Sequence, residues 1–319
     1  GKQTKMHWTS QWGSGNSIQV VNVGIDSKQI IVVGHVGEAS SNAVYSFVKS
    51  IDPSTGETVW ESKIGSGVTP DWVLSSAFDG AGDIYVTGNT KGSLYTKNEG
   101  SNDIFVAKFS GANGAFSWGF QMGTFLEDSS NSIVFDPFSN SVMTCGSSRK
   151  SNHDQYATCS KVDSQGNLVW TVELPSLDPS NVGQGIHEEI LSHGLDRASG
   201  DVIAGGYAKG TWVLLRLKIN EISGETSLVW RLYGSNQIGA ITTLKTVRTI
   251  SGALEGFVIA GGYESSALDG RKIVAFVRKF DVESGELNWA YLLEEGDKSY
   301  LNDISVADDG RIFACGTVG

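Results

Sequence analysis

The chain has little proline and cysteine and contains no long apolar run. Its 319 residues include 5 prolines and 3 cysteines. A membrane-spanning helix needs about 20 consecutive apolar residues, and no stretch approaches that length. Three cysteines are too few for a disulfide-stabilised scaffold and leave one thiol over. The sequence therefore predicts a folded chain with no membrane span and no dense disulfide framework.

Positive charge is also in short supply. Lysine and arginine number 24 against 35 acidic residues, so the formal net charge is −11. An acidic surface repels phosphate backbones, which predicts that the chain does not bind nucleic acid.

Recognisable catalytic and metal-binding motifs are missing as well. The stretch "GIHEEILSHGLD" has Leu191 where a zincin motif needs its second histidine. On a strand, the six-residue spacing of His187 and His193 puts them about 20 Å apart, too far to share a metal ion. There is no Gly-x-Ser-x-Gly elbow, phosphate loop or Cys-x-x-Cys pair. We therefore predict no catalytic residue, no metal ligand and no cofactor.

Glycine is abundant, with 40 residues, and tryptophan recurs with a regular period. The tryptophans lie roughly 50–60 residues apart, and most follow a glycine turn, as in "STGETVW" and "ESGELNW". A large aromatic residue at one repeated position is typical of packing between neighbouring sheets. The residues predicted to pack in this way are Trp8, Trp60, Trp118, Trp170, Trp230 and Trp289.

Each repeat contains four short alternating segments, which we name strands A to D. Period-2 alternation bounded by turn residues indicates strands, and a four-strand unit at this period is typical of a β-propeller blade. We predict one all-β domain, residues 1–319, with six blades of four antiparallel strands. The predicted blades span residues 16–66, 67–124, 125–175, 176–235 and 236–295, with a closing blade from 296–319 plus 1–15.

The closing blade carries a particular expectation. Residues 1–15 match strand D and the last residues match strands A and B, so pairing of the two termini would close the ring. A strand C is missing from this blade. We expect a protein partner, a neighbouring subunit or a flanking segment of a longer polypeptide to donate that strand.

The second repeat resembles the SBBP-type bacterial β-propeller repeat family. It reads "FDGAGDIYVTG" over residues 78–88 and "DIFVAKFSGANGAFSW" over residues 103–118. The resemblance extends loosely over nearly the whole chain and concerns structural motifs. It implies an extracellular or cell-surface propeller with a binding or scaffold role and no catalytic residues to transfer. Members of the family are often described with seven blades, so seven is the alternative count.

Three further sets of residues have specific interpretations. An aspartate recurs at the A–B turn, where a repeated Ca²⁺ ligand is the alternative to a side chain that caps its own turn. Cys145 and Cys159 lie symmetrically about a hairpin loop and could form a disulfide, the alternative being two buried thiols. Trp72 and Trp212 fall outside the tryptophan register and are candidates for exposed contacts. The predicted turn-capping residues are Asp26, Asp79, Asp136, Asp196 and Asp308.

Together these observations predict a non-enzymatic interaction or scaffold propeller within a larger extracellular or surface-associated protein or assembly. One alternative is a propeller that binds a sugar or a metal, and a second is a hydrolase or lyase. The B–C and D–A loops vary most in length, so we expect the binding face at their end of the blades.

Overall fold

The computed structural model describes residues 17–25, 29–37, 44–65, 67–178, 185–234, 238–248, 256–266, 271–307 and 309–319. Its regular secondary structure consists of 22 β-strands. The chain divides into two compact units, one of residues 1–142 and 162–167, the other of residues 143–161 and 168–319. Each unit is described by itself below.

The first unit contains two complete antiparallel sheets. Sheet 1 has the order β1-β2-β3-β4 and sheet 2 the order β5-β6-β7-β8. Successive strands are neighbours in each sheet, so each sheet is a meander. Their strands are β1 (Ser17–Ile25), β2 (Ile30–Gly37), β3 (Val44–Ile51), β4 (Thr58–Ile64), β5 (Asp71–Phe78), β6 (Ile84–Thr90), β7 (Asp103–Phe109) and β8 (Phe116–Met122).

Sheet 3 has the same meander order, and the division between the two units passes through it. It consists of β9 (Asp128–Asp136), β10 (Ser141–Arg149), β11 (Gln155–Asp163) and β12 (Leu168–Glu173).

The second unit contains two more complete sheets and a two-stranded hairpin. Sheet 4 runs β13-β14-β15-β16, sheet 5 runs β17-β18-β19-β20, and β21 pairs with β22. We call this last pair the closing hairpin. These strands are β13 (Glu188–Leu195), β14 (Val202–Ala208), β15 (Thr211–Ile219), β16 (Thr226–Tyr233), β17 (Gly239–Arg248), β18 (Gly256–Ser265), β19 (Ile273–Asp281), β20 (Leu287–Leu293), β21 (Ser299–Val306) and β22 (Ile312–Val318).

The core of each unit lies between consecutive sheets. In the first unit, Val48 of sheet 1 packs in one cluster with Val86 and Phe105 of sheet 2. In the second unit, Leu214 of sheet 4 packs with Phe276 of sheet 5. In the complete sheets the middle strands B and C are buried over most of their length. The outer strand D is exposed or half-buried over most of its length.

Strand A of several sheets carries a one-residue register shift. It occurs between Val73 and Ser75 in sheet 2, between Ile190 and Ser192 in sheet 4, and between Leu301 and Asp303 in the closing hairpin. A bulge of this kind increases the local twist of a strand. Its recurrence shows that the sheets repeat in detail as well as in strand order.

Candidate functional site

Four of the predicted packing tryptophans lie against a turn glycine of the following sheet. The indole of Trp118 covers Gly166 and donates from Nε1 to the Ser164 carbonyl at 2.9 Å. Trp230 covers Gly285 in the same way and donates to the Val282 carbonyl at 3.0 Å. The other two contacts are those of Trp60 with Gly114 and of Trp170 with Gly224.

The last tryptophan of the set differs, since Trp289 on β20 is 39% exposed. Trp8 lies outside the described residues. Of the two tryptophans expected to be exposed, Trp212 is buried, at 7% exposure, and Trp72 is half-buried. The expectation for Trp212 was wrong because its indole donates to a buried carboxylate, as shown below.

The described aspartates of the turn-capping set accept hydrogen bonds within their own turns. Asp79 accepts from the Ala81 amide at 2.9 Å, and Asp196 accepts from the Ala198 amide at 3.2 Å. Asp136 accepts from the Phe138 amide at 3.0 Å. Among the described residues no three His, Cys, Asp or Glu side chains group in a way that could hold a metal ion. Asp26 and Asp308 lie outside the described residues.

Cys145 and Cys159 form a disulfide in the structure, with their Cα atoms 4.1 Å apart. They join β10 to the neighbouring strand β11. Cys315, on β22, is a free and exposed thiol.

The two histidines of "GIHEEILSHGLD" have different surroundings. His193 is fully buried on β13, and burial lowers its pKa to about 4. His187 is exposed just before that strand. With this pKa the buried imidazole of His193 is neutral at physiological pH.

A cluster of polar and aromatic side chains occupies the B–C end of the second unit. Strand B of each sheet carries a glycine near this end, and the residue after that glycine is polar or aromatic in every repeat. In β14 and β18 this residue is Tyr207 and Tyr263, which follow Gly206 and Gly262. Both tyrosines are half-buried.

Tyr207 is held by a carboxylate from the neighbouring strand. Glu189 is the residue opposite Tyr207 in the β13–β14 ladder, and the phenol donates to Glu189 Oε2 at 2.7 Å. Gln155, the first residue of β11, donates to the same oxygen at 3.1 Å and to Ser147 Oγ at 2.8 Å. One carboxylate thus aligns a phenol and an amide side by side.

Tyr263 links Tyr207 to the closing hairpin. Its ring meets that of Tyr300 of β21 edge to face, with centroids 5.0 Å apart. Tyr207 and Tyr263 are close enough to interact electrostatically. Glu189, Gln155, Tyr207, Tyr263 and Tyr300 together are called the tyrosine cluster.

A buried ion pair contacts the residue opposite Tyr207. Trp212, the residue opposite Tyr207 on β15, donates from Nε1 to Glu264 Oε2 at 2.8 Å. Arg278 donates to both oxygens of Glu264, at 2.5 and 3.1 Å, and its guanidinium lies over the Trp212 ring. A bidentate pair of this kind fixes both side chains.

The electrostatics of the cluster favour a hydrogen-bonding role. Burial, with the negative charge of Glu189, raises the pKa of Tyr207 above its usual value. Burial also raises the pKa of Tyr263. Both phenols are therefore neutral at physiological pH, which makes them donors and acceptors and disfavours the phenolate that a tyrosine nucleophile requires.

Sequence reasoning missed the tyrosine cluster. The sequence signal for it was the tripeptide Gly-Gly-Tyr, which occurs in strand B of two consecutive repeats. The other repeats have His, Asn, Ser or Thr after the glycine. That pattern indicates neighbouring tyrosines, but Glu189 and Gln155 join them only through the folded arrangement of the strands.

No family model matches the chain, and no curated protein matches it. Among solved structures, the chain is similar to one described as a crystal structure of glucose dehydrogenase, with 9% identity, a TM-score of 0.51, and coverage of 95% of this chain and 96% of that one. It is also similar to the subtype N10 neuraminidase-like protein of A/little yellow-shouldered bat/Guatemala/060/2010, with 11% identity, a TM-score of 0.48, and coverage of 91% and 87%.

These comparisons correct the predicted function. The prediction of a non-enzymatic scaffold is wrong, because the similar structure with a TM-score above 0.5 is named as an enzyme, glucose dehydrogenase. At 9% identity the likeness to glucose dehydrogenase shows the fold and no activity. The described part of the chain also contains no helix with the length and apolar character to cross a membrane. The chain thus has a β-propeller-like all-β fold built from antiparallel meander sheets.

Proposed function

We propose that the chain binds a small neutral polyhydroxylated ligand, of carbohydrate chemistry, at the tyrosine cluster. The observation that carries this proposal is the hydrogen-bonded set of Tyr207, Glu189 and Gln155, with Tyr263 and Tyr300 beside it. A binding site of this kind combines aromatic surface with a few polar groups in fixed positions.

The chemistry of the cluster suits hydroxyl groups better than ions. Glu189 accepts two hydrogen bonds from within the cluster, and Gln155 and the two phenols offer further donors and acceptors. The tyrosine rings supply apolar faces for the C–H surfaces of a sugar ring. The cluster contains no arginine or lysine, so an anionic ligand would find no counter-charge in it.

The test is a titration with neutral mono- and oligosaccharides, followed by calorimetry and by chemical shifts of the tyrosine rings. Tyr207→Phe removes one hydroxyl and keeps the ring, and Glu189→Gln removes the charge that aligns it. Each variant should weaken binding at least about tenfold, which is about 1.4 kcal/mol. Tyr291→Phe, on an exposed side chain of β20, is the matched control. Equal binding by all four proteins would refute the site.

The prediction that the chain is not an enzyme remains part of this proposal. The neutral state of Tyr207 supports it, since the residue is not activated as a nucleophile. Incubation with nitrophenyl glycosides, and with sugars plus a redox dye, checks it. Turnover that Glu189→Gln abolishes would overturn it.

We propose that the sheets form six blades, closed by pairing of residues 1–15 with the closing hairpin. The support is five four-stranded meander sheets followed by a hairpin with the A–B register of the others. Seven blades is the alternative, and cryo-electron microscopy of the whole protein distinguishes the two. Membership of the SBBP-type family and an extracellular or cell-surface location stay predictions, which fractionation of the source cells tests in part.

A strand added to the closing hairpin is part of the same proposal. Within the described residues β22 pairs with β21 alone, and its Phe313 and Val318 are 56% and 53% exposed. An open edge of this kind is a template for another strand. Addition should slow hydrogen exchange over residues 312–318, and unchanged exchange in the whole protein would contradict it.

A further inference from the structure

The only disulfide among the described residues lies in the sheet that contributes Gln155 to the tyrosine cluster. Cys145 and Cys159 join β10 to β11, and both side chains are 1% exposed. Gln155 is the first residue of β11, four positions before Cys159. In sheet 2 the residues that face each other at the same repeat position are Thr87 and Val106, which are not cross-linked. The covalent link thus marks the hairpin that carries Gln155.

Gln155 is held at the cluster by both hydrogens of its side-chain amide. Its Nε2 atom donates to Ser147 Oγ on β10 at 2.8 Å and to Glu189 Oε2 on β13 at 3.1 Å. Glu189 also accepts from the Tyr207 phenol at 2.7 Å. The β10–β11 hairpin therefore reaches the carboxylate that aligns the phenol, and the position of the hairpin sets how that carboxylate is shared.

The disulfide holds the two strands of this hairpin close together. The Cα atoms of Cys145 and Cys159 are 4.1 Å apart, whereas facing Cα atoms of antiparallel strands are usually about 4.5–5.5 Å apart. Two unbonded sulfur atoms need more room than two bonded ones, because they can approach only to van der Waals contact. Reduction therefore moves β10 and β11 apart next to the hairpin loop, where Ser147 and Gln155 lie.

We propose that this disulfide is a redox control of the ligand site, which it completes by placing Gln155 between Ser147 and Glu189. In the oxidised protein, Gln155 and Tyr207 share the Glu189 carboxylate, and the site binds its hydroxylated ligand. In the reduced protein the hydrogen bond from Gln155 to Glu189 is lost, and the ligand binds more weakly. This inference rests on the proposed function and specifies its regulation. The protein then binds its ligand in an oxidising compartment and loses affinity in a reducing one.

The redox step is a thiol–disulfide exchange with a dithiol. A thiolate of the dithiol attacks one cysteine sulfur, which breaks the bond between the two cysteines and forms a mixed disulfide. The second thiol of the reagent then closes a ring with the first and releases that cysteine. Two electrons and two protons end on Cys145 and Cys159 as two thiols, and the dithiol becomes a cyclic disulfide. Because both cysteines are buried, the exchange needs local opening of the hairpin and is slow.

The test uses the full chain with Cys315→Ser as the parent protein. This change removes the free thiol, so that dithiothreitol acts on the disulfide alone. Thiol counting shows when both cysteines are reduced, and circular dichroism shows whether the reduced chain stays folded. The double variant Cys145→Ala, Cys159→Ala gives a second form without the disulfide. Gln155→Ala removes the hydrogen bonds through which the disulfide would act on the site.

Two quantities are measured on the oxidised and reduced proteins. The first is the affinity for lactose, maltose and cellobiose, and the second is the set of side-chain amide resonances of Gln155, which report its hydrogen bonds without a ligand. We expect reduction to weaken binding at least about fivefold and to move the Gln155 resonances toward those of an exposed glutamine. The double alanine variant should match the reduced parent. With Gln155→Ala, reduction should change the affinity by less than about twofold.

Three outcomes would overturn the inference. An equal loss of affinity on reduction with and without Gln155→Ala would show that the disulfide acts through general stability. Unchanged Gln155 resonances would show that it does not place this side chain, and reduction that occurs only with unfolding would leave no folded reduced state to regulate. Absence of saccharide binding by the oxidised parent would instead refute the proposed function, while the Gln155 resonances would still decide whether the disulfide places the side chain.

Discussion

Strand B of sheet 5 and strand B of the closing hairpin share a sequence pattern, but the first is buried and the second is exposed. Strand β18 reads "GFVIAGGYES" and is buried over most of its length. Strand β22 reads "IFACGTV" and is exposed beyond its first residue. The difference follows from the neighbours, because β18 lies between β17 and β19, whereas β22 has a described partner on one side only. Burial of a strand is thus a property of the completed sheet.

The largest expected contrast concerns the tryptophans. Trp170→Ala should cost about 3–5 kcal/mol of unfolding free energy, because a buried indole over Gly224 is lost. Trp118→Ala is expected to behave in the same way. Trp289→Ala, at the exposed position, should cost less than about 1 kcal/mol. Urea denaturation measures all three, and a small loss at Trp170 would refute the packing role.

One residue on β18 and the residue at the same repeat position on β22 allow the two strands to be compared directly. Ile259 and Phe313 occupy the same repeat position, three residues before the glycine, and are 0% and 56% exposed. Ile259→Ala should cost about 2–4 kcal/mol, while Phe313→Ala should cost under about 0.5 kcal/mol. If the two losses in chemical denaturation are equal, β22 is already covered in solution.

The buried histidine of sheet 4, His193, predicts how the free energy of unfolding depends on pH. The folded pKa of His193 is about 4, below that of an unfolded histidine near 6.5, so the unfolded chain binds the extra proton between these values. Stability should therefore be complete above about pH 6.5 and fall by up to about 3 kcal/mol as the pH drops to 4. His193→Gln should flatten this part of the stability curve. A stability curve that His193→Gln leaves unchanged would contradict the burial of His193.

The smallest expected effect concerns two turn glycines with similar backbone angles. Gly285 has φ +73° and would place a Cβ 3.0 Å from the Trp230 ring, whereas Gly310 has φ +82° and open space around it. Gly310→Ala should cost about 1 kcal/mol from backbone strain alone. Gly285→Ala should cost about 1 kcal/mol more, because the indole must move. Equal melting temperatures for the two variants would show that Trp230 does not press on the turn.

Much of the fold could be predicted from the repeat. The alternating segments predicted the four-stranded sheets, since a strand with two buried faces and a strand with one differ in their apolar pattern. The aspartates of the A–B turns, such as Asp79 and Asp196, were expected to cap their turns, and they accept the hydrogen bonds of such a cap. These features depend on residues that are close in sequence.

The burial of Trp212 could not be predicted in the same way. This burial depends on Glu264 and Arg278, which lie on two strands of the next sheet. The sequence around position 212 gives no sign of either residue. The tyrosine cluster has the same origin, because Gln155, Glu189 and Tyr207 belong to three different strands.

The sequence by itself determined the strands, their turns and the period of the repeat, because alternation and turn-forming residues act over a few positions. Tertiary structure alone decided that Trp212 is covered, since its burial depends on Glu264 and Arg278 of the next sheet. It also decided where polar groups meet. The phenol of Tyr207 reaches Glu189 because the β13–β14 ladder places the two residues opposite each other, and that register is a property of the paired strands.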